Sequence, residues 1–242
     1  MPFKGPAEFI KRVSVDPTAR SHCFFHLSPD TVKKLKAEAN EEIAAAGADD
    51  AKISSLQAVS AHLWRSITRA RKPHPQTPAV HVILVGYRSN KLLSLHPVPR
   101  SYTGNACGAA GRFTTAEELT NKGLGAAALL LNKQIAAFSE EEVYKEVENW
   151  GENPKICYLD YDNGMMMYTG GSPRFDVFGC DFGWGRPVAM RTGRWNVAEG
   201  TVGVYRGAEE GSLEVDVHLA KETMSALLKD EEFVKTVCLS PH

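Results

Sequence analysis

The sequence lacks paired cysteines. Its five, Cys23, Cys107, Cys157, Cys180 and Cys238, are scattered, odd in number and form no C-x-x-C. That argues against a disulfide framework or a zinc site, and it fits a reducing, cytoplasmic compartment. No metal site is expected. No run of about 18 apolar residues occurs, so no segment reads as a membrane span. The start, MPFKGPAEFIKRV, has no apolar stretch and does not read as a signal peptide. Neither sign of charge is in excess: 28 Lys and Arg face 29 Asp and Glu, a net charge of −1. Neither nucleic acid nor membrane is therefore expected as a partner. No internal repeat and no low-complexity stretch appears.

What is present is an ordinary globular balance, 43% apolar and 24% charged, over 242 residues. Residues 1–21 read as irregular, with Pro2, Pro6 and Pro17. Cys23 to Leu27 reads as a strand. Ser28, Pro29 and Asp30 then supply an N-cap, a first-turn proline and a first-turn acid for a helix to about Ala44. Ser54 or Ser55 caps a second helix, with Leu56, Val59, Leu63 and Ile67 on one apolar stripe. It ends at Pro73-His74-Pro75. Ala79 to Tyr87 is an apolar run that suits a strand covered on both faces. A Gly-rich strand follows near Gly104–Gly111. Thr115 to Glu118 reads as a capping box opening one long helix, and Ser139 opens another. Short strands are expected at 165–169, 174–180, 187–191, 201–206 and 211–219, and a last helix at 221–237. This order implies an α/β or α+β domain with a mixed sheet.

The most distinctive segment is Asp181-Phe182-Gly183-Trp184-Gly185-Arg186-Pro187. Its glycines permit positive φ, its Trp calls for burial, and its Asp calls for a cationic partner. It reads as a structural bend that shapes a site. The first three letters match the metal-holding D-F-G of protein kinases, but no H-R-D-x-x-x-x-N loop accompanies them, so that function is rejected. Gly123-Leu124-Gly125-Ala126-Ala127-Ala128 lies inside a helix and is rejected as a dinucleotide loop. Met165-Met166-Met167 reads as core.

The bend resembles the D-F-G-W-G signature of the BAHD (HxxxD-type) acyl-CoA-dependent acyltransferases of plants. Other segments are similar to the same family: Leu56-Gln57-Ala58 with Ala61-His62-Leu63-Trp64-Arg65, the lead-in Ser172-Pro173-Arg174-Phe175, and the tail Glu231-Glu232-Phe233. The matches cover about residue 22 to the end. They resemble the C-terminal half of the family.

The resemblance implies a chloramphenicol-acetyltransferase-like domain over 22–242, one of the two found in the family. It implies transfer of an acyl group from acyl-CoA, as co-substrate, to an alcohol or amine of a plant specialised metabolite. No bound cofactor is implied. In the family a histidine of H-x-x-x-D acts as general base, and it lies ahead of the matched half. The chain's one H-x-x-x-D, His26 to Asp30, falls in a strand and helix start and reads as a decoy. Catalytic residues are therefore expected to be absent here. Asp181 is expected to pair directly with Arg88, in Tyr87-Arg88-Ser89-Asn90. Coenzyme A contact is placed at Ser54 and Ser55, and acceptor-side contact at Thr169 and Ser172. A half-enzyme also implies an exposed apolar patch, on the face holding Ser54 and Thr169, and self-association through it. The other function class is a non-catalytic module that binds coenzyme A or a partner.

Overall fold

The computed structural model describes residues 5, 8, 19–48, 50–88, 93, 95–99, 101–154, 165–192 and 197–239. Cys157, Ser89, Asn90 and most of 1–21 lie outside them. The order of elements is β1 (Arg20–Leu27), α1 (Pro29–Ala45), α2 (Ser55–Arg71), β2 (Pro78–Gly86), β3 (Cys107–Thr115), α3 (Ala116–Asn121), α4 (Gly123–Ala136), α5 (Glu140–Glu152), β4 (Met166–Gly170), β5 (Thr201–Arg206), β6 (Leu213–Ala220), α6 (Lys221–Leu227), α7 (Glu231–Val234) and β7 (Cys238–Leu239). The strands form one seven-stranded sheet in the order β3-β2-β4-β5-β6-β1-β7. Pairs β2–β4 and β4–β5 are parallel; the other pairs are antiparallel. The expected mixed sheet is thus present.

Local chemistry starts the helices. Ser28 caps α1 by accepting the Thr31 amide, with Pro29 at the first position. Ser54 caps α2 in a full capping box with Gln57. Asn40 of α1 holds the approach to α2: its side chain accepts the Ile53 amide at 3.0 Å and donates to the Ile53 carbonyl at 3.1 Å.

Four expectations shift. The long helix expected from Thr115 is two helices, α3 and α4, because Gly123 takes a φ of 87° between them. Thr115 caps α3 by accepting the Glu118 amide, and the Glu118 side chain also binds Thr114 and Lys122. Strands at 174–180 and 187–191 do not form; that stretch is loop, with a single 3-10 turn at Val177–Gly179. The last helix is two short ones, because Asp230 caps a new helix after Leu227. The strand β1 begins at Arg20, inside the segment expected to be irregular.

The core lies between the sheet and a helical layer built around α2. Alternation along β1 and β6 turns Phe25, Leu27, Val215 and Val217 toward the helices, all of them buried. It turns His22, His26, Asp216 and His218 to the other face. α2 was expected to bury one stripe, yet every residue from Ala58 to Thr68 is buried. α1, α3, α4, α6 and α7 all pack on it. Ser60, Ala61 and Ser66 keep it narrow enough to be surrounded. Its large polar residues find partners: His62 meets Thr236 Oγ1 at 2.8 Å, and Arg65 meets Glu232 Oε1 at 2.9 Å.

Candidate functional site

The Gly-rich bend lies in the long connection between β4 and β5. Gly183 and Gly185 have φ of 96° and 98°, which a residue without Cβ reaches freely. Asp181 exploits that turn. Its Oδ1 accepts the Gly183 amide at 2.7 Å and the Gly185 amide at 3.1 Å. The carboxylate closes its own loop.

The expected Asp181–Arg88 pair is not made. Arg88 donates through Nη2 to the carbonyls of Tyr102 at 3.1 Å and Gly104 at 2.7 Å. Both side chains are exposed, so water and nearby backbone groups satisfy them without a charged mate. The expected burial of Trp184 also fails. Trp184 is 93% exposed and Phe182 83%. Phe175 and Val188 are exposed beside them. Among the described residues nothing covers this loop.

The other sequence-predicted residues do not converge. Ser54 uses its hydroxyl oxygen to accept the Gln57 amide at 3.3 Å, while its own amide donates to Gln57 Oε1 at 2.8 Å. Ser55 is the first residue of α2. Thr169 is buried on the helix-facing side of β4, 3.0 Å from His81 Nε2. Ser172 lies beyond the strand, where its hydroxyl accepts the Arg174 amide at 3.2 Å. Thr169 therefore cannot share an exposed apolar face with Ser54; alternation in β4 turns it inward with Met167. Four exposed large apolar side chains, Phe175, Phe182, Trp184 and Val188, lie instead on the 175–188 loop. His26 Nδ1 is 2.8 Å from Glu214 Oε1 across β1 and β6, while Asp30 is exposed and 4.0 Å from Lys33.

Sequence reading missed the buried polar groups of the core. Gln134 donates its amide to the carbonyls of His81 and Ala110, so its Oε1 must accept from His81 Nδ1–H, at 3.1 Å. His81 Nε2 is then the acceptor of the Thr169 hydroxyl. Burial, opposed by the Gln134 hydrogen bond, pushes this imidazole from 6.5 down to about 4. Burial likewise pushes His62 down to about 4, with Glu232 opposing. Both are neutral core groups, His81 bonded through both ring nitrogens and His62 through Nε2, which is a structural role. A cleft of about 560 Å³ opens between β3 and α5, lined by Gln134, Phe138, Glu142, Lys145 and Glu146. Its one cation, Lys145, is paired with Glu141 and Glu142. The cleft therefore suits phosphates poorly, and none of the predicted site residues lines it.

Comparison with known proteins places this arrangement. A sequence profile described as the Transferase family matches residues 12–234. An uncharacterized acetyltransferase of Arabidopsis thaliana is 34% identical over 224 residues, covering 91% of this chain and 49% of that protein. The BAHD acyltransferase DCR of Arabidopsis thaliana is 30% identical over 223 residues, covering 91% and 45%. The chain thus spans about half the length of the curated relatives it matches. Among solved structures, TRI101 of F. graminearum, in complex with coenzyme A and T-2 mycotoxin, superposes with a TM-score of 0.78. Identity there is 22%, over 96% of this chain and 53% of that one. Vinorine synthase superposes with a TM-score of 0.69 at 17% identity, over 92% and 49%. These likenesses fix the fold as a chloramphenicol-acetyltransferase-like α/β domain. With the profile running through nearly every described element, the chain belongs to the BAHD family of acyltransferases.

Proposed function

We propose that this chain supplies one domain of an acyl-CoA-dependent acyltransferase. The enzyme moves the acyl group of a coenzyme A thioester to an alcohol or amine of a small plant metabolite. The general base is an H-x-x-x-D histidine outside these 242 residues. It takes the acceptor's proton as the acceptor oxygen or nitrogen attacks the thioester carbonyl. The carbon–sulfur bond breaks, and the departing coenzyme A thiolate takes up the proton.

One observation carries the reading. The chain's single H-x-x-x-D is committed elsewhere: His26 faces Glu214 on the sheet, and Asp30 stands in solvent at a helix start. Further support comes from the half-length match, and from TRI101, which was solved with coenzyme A and an acceptor-sized toxin. Phe175, Phe182, Trp184 and Val188 are exposed apolar side chains of one loop, of the kind a second domain would cover. The first turn of α2 offers the Ser55 amide, which the Ser54–Gln57 capping box does not use, to a coenzyme A phosphate. Ser172 is the remaining acceptor-side candidate, since Thr169 is buried.

The test is an acyl-transfer assay with acetyl-, malonyl- and hydroxycinnamoyl-CoA against a panel of alcohols and amines. The chain alone is expected to turn over little, since general-base catalysis alone contributes about 10²–10⁴-fold. His26→Ala is expected to change nothing. Turnover by the chain alone that His26→Ala abolishes would show that the base is here after all. Light scattering should find the isolated chain self-associated; a monodisperse monomer counts against the uncovered domain face.

A further inference from the structure

The sheet face turned away from the helices carries a compact polar cluster between β1 and β6. His22 lies directly opposite His218 in the antiparallel register, and Asp216 follows two residues along on the same face. Asp216 Oδ1 is 2.6 Å from His22 Nε2 and 3.1 Å from His218 Nε2. The two imidazoles stack with centroids 4.3 Å apart. One donor atom from each residue lies within 4.8 Å of the other two. The Asp216 and His218 side chains are 2% and 6% exposed, and His22 is 16% exposed, which leaves a route from solvent.

The surroundings hold these groups in place. Thr192 donates its hydroxyl to Asp216 Oδ2, which leaves Oδ1 turned to the imidazoles. Phe24 packs edge-on against His22 at 5.1 Å. Gly203 faces Asp216 from β5, and the Tyr205 ring fills the space a Cβ there would need. Burial raises the Asp216 carboxyl, but hydrogen bonds from His218 and Thr192 and the neighbouring imidazoles outweigh it, so it sits below its ordinary value and is ionised. Arg191 is the nearby cation. It is exposed and turned onto the Phe24 ring at 4.5 Å.

Two stacked imidazoles bring their Nε2 atoms to one carboxylate oxygen, so three donor atoms face a common point. We propose that His22 Nε2, Asp216 Oδ1 and His218 Nε2 are three ligands of a divalent transition-metal site of the zinc type, completed by water. Two imidazoles and a carboxylate are the donors such ions take. Tetrahedral zinc with bonds of about 2.0–2.1 Å sets its ligand atoms about 3.3 Å apart, within about 1 Å of the present separations to Oδ1. Loading requires each imidazole to carry its proton on Nδ1, freeing Nε2. Thr192 orients the carboxylate from behind, as groups behind a metal ligand do. The bound ion would tie β1 to β6. The inference does not depend on acyl transfer.

The test uses the 242-residue chain and Co²⁺ or Zn²⁺ alone. Co²⁺ should give a 1:1 visible absorption with imidazole and oxygen ligation, and Zn²⁺ should displace it. His218→Gln and His22→Gln should each weaken binding by more than about 100-fold, and Thr192→Val by about 10–100-fold. His26→Ala, on the same face, should leave it unchanged. If a variant fails to fold, histidine nitrogen shifts of the unaltered chain decide: on adding Zn²⁺, the Nε2 signals of His22 and His218 should move alone. No binding, binding that survives both His substitutions, or binding lost only with a cysteine overturns the proposal.

Discussion

Two arginines end neighbouring elements and meet opposite fates. Arg71 is the last residue of α2; Arg88 follows β2. The Arg71 side chain is 5% exposed, and its Nη2 donates to Glu199 Oε2 at 2.7 Å and to the Met166 carbonyl at 3.0 Å. Gly200 makes room for it: with a φ of 82° and no Cβ, it clears both the Met166 carbonyl and the guanidinium. Arg88 stands in solvent and spends its donors on backbone carbonyls. The buried ion pair expected of Arg88 and Asp181 is thus found at Arg71 and Glu199. Burial, not a motif, obliges a charge to find a mate.

The sharpest way to break that contrast is Arg71→Ala. It leaves Glu199 buried, its carboxyl already pushed up by burial and opposed chiefly by Arg71, with smaller help from the Ala220 amide and Arg20. The loss is expected to be about 3–5 kcal/mol in urea unfolding. A loss below about 1 kcal/mol would mean that water reaches the pair and that the two arginines do not differ.

Next in size is the pH dependence of the same core. His81 is neutral in the fold, pushed down to about 4 from 6.5 by burial. The unfolded chain therefore binds a proton that the fold refuses between those two values. Stability is intact above about pH 6.5 and falls as pH drops toward 4, by up to about 3 kcal/mol for this one group. His81→Gln should flatten that part of the stability curve measured by denaturant titration. An unchanged slope would mean that His81 charges freely in the fold.

What the sequence revealed follows the same divide. Helix starts at Ser28 and Ser54 were legible because an N-cap acts within three residues. The mixed sheet was legible from the alternation of helical and strand-like periods. The positive φ at Gly183 and Gly185 was legible because only glycine reaches it freely. The partners of charged groups were not, since Glu199 lies 128 positions from Arg71 and nothing local marks it. The strands expected around 174–191 failed because their residues have no neighbouring strand to pair with. Their apolar letters read as core, although the fold leaves Trp184 in solvent. The His22, Asp216 and His218 cluster carried one faint signal, a polar residue at every second place on β6. Only the register with β1 brings the third member to it.

The smallest expected effect is the most direct check of the comparison. Asp181→Ala and Arg88→Ala should each change stability by no more than about 0.5–1 kcal/mol, as exposed substitutions do. Their effects should add, with a coupling under about 0.5 kcal/mol in a double-mutant cycle, because they share no partner. Asp181→Ala frees two amides of its own turn, while Arg88→Ala frees the carbonyls of Tyr102 and Gly104. A coupling above about 1 kcal/mol would mean that the two side chains do meet in solution. The loop would then have to close over Arg88, which takes Trp184 out of water. In that case tryptophan fluorescence should shift blue in the unaltered chain and red in Arg88→Ala.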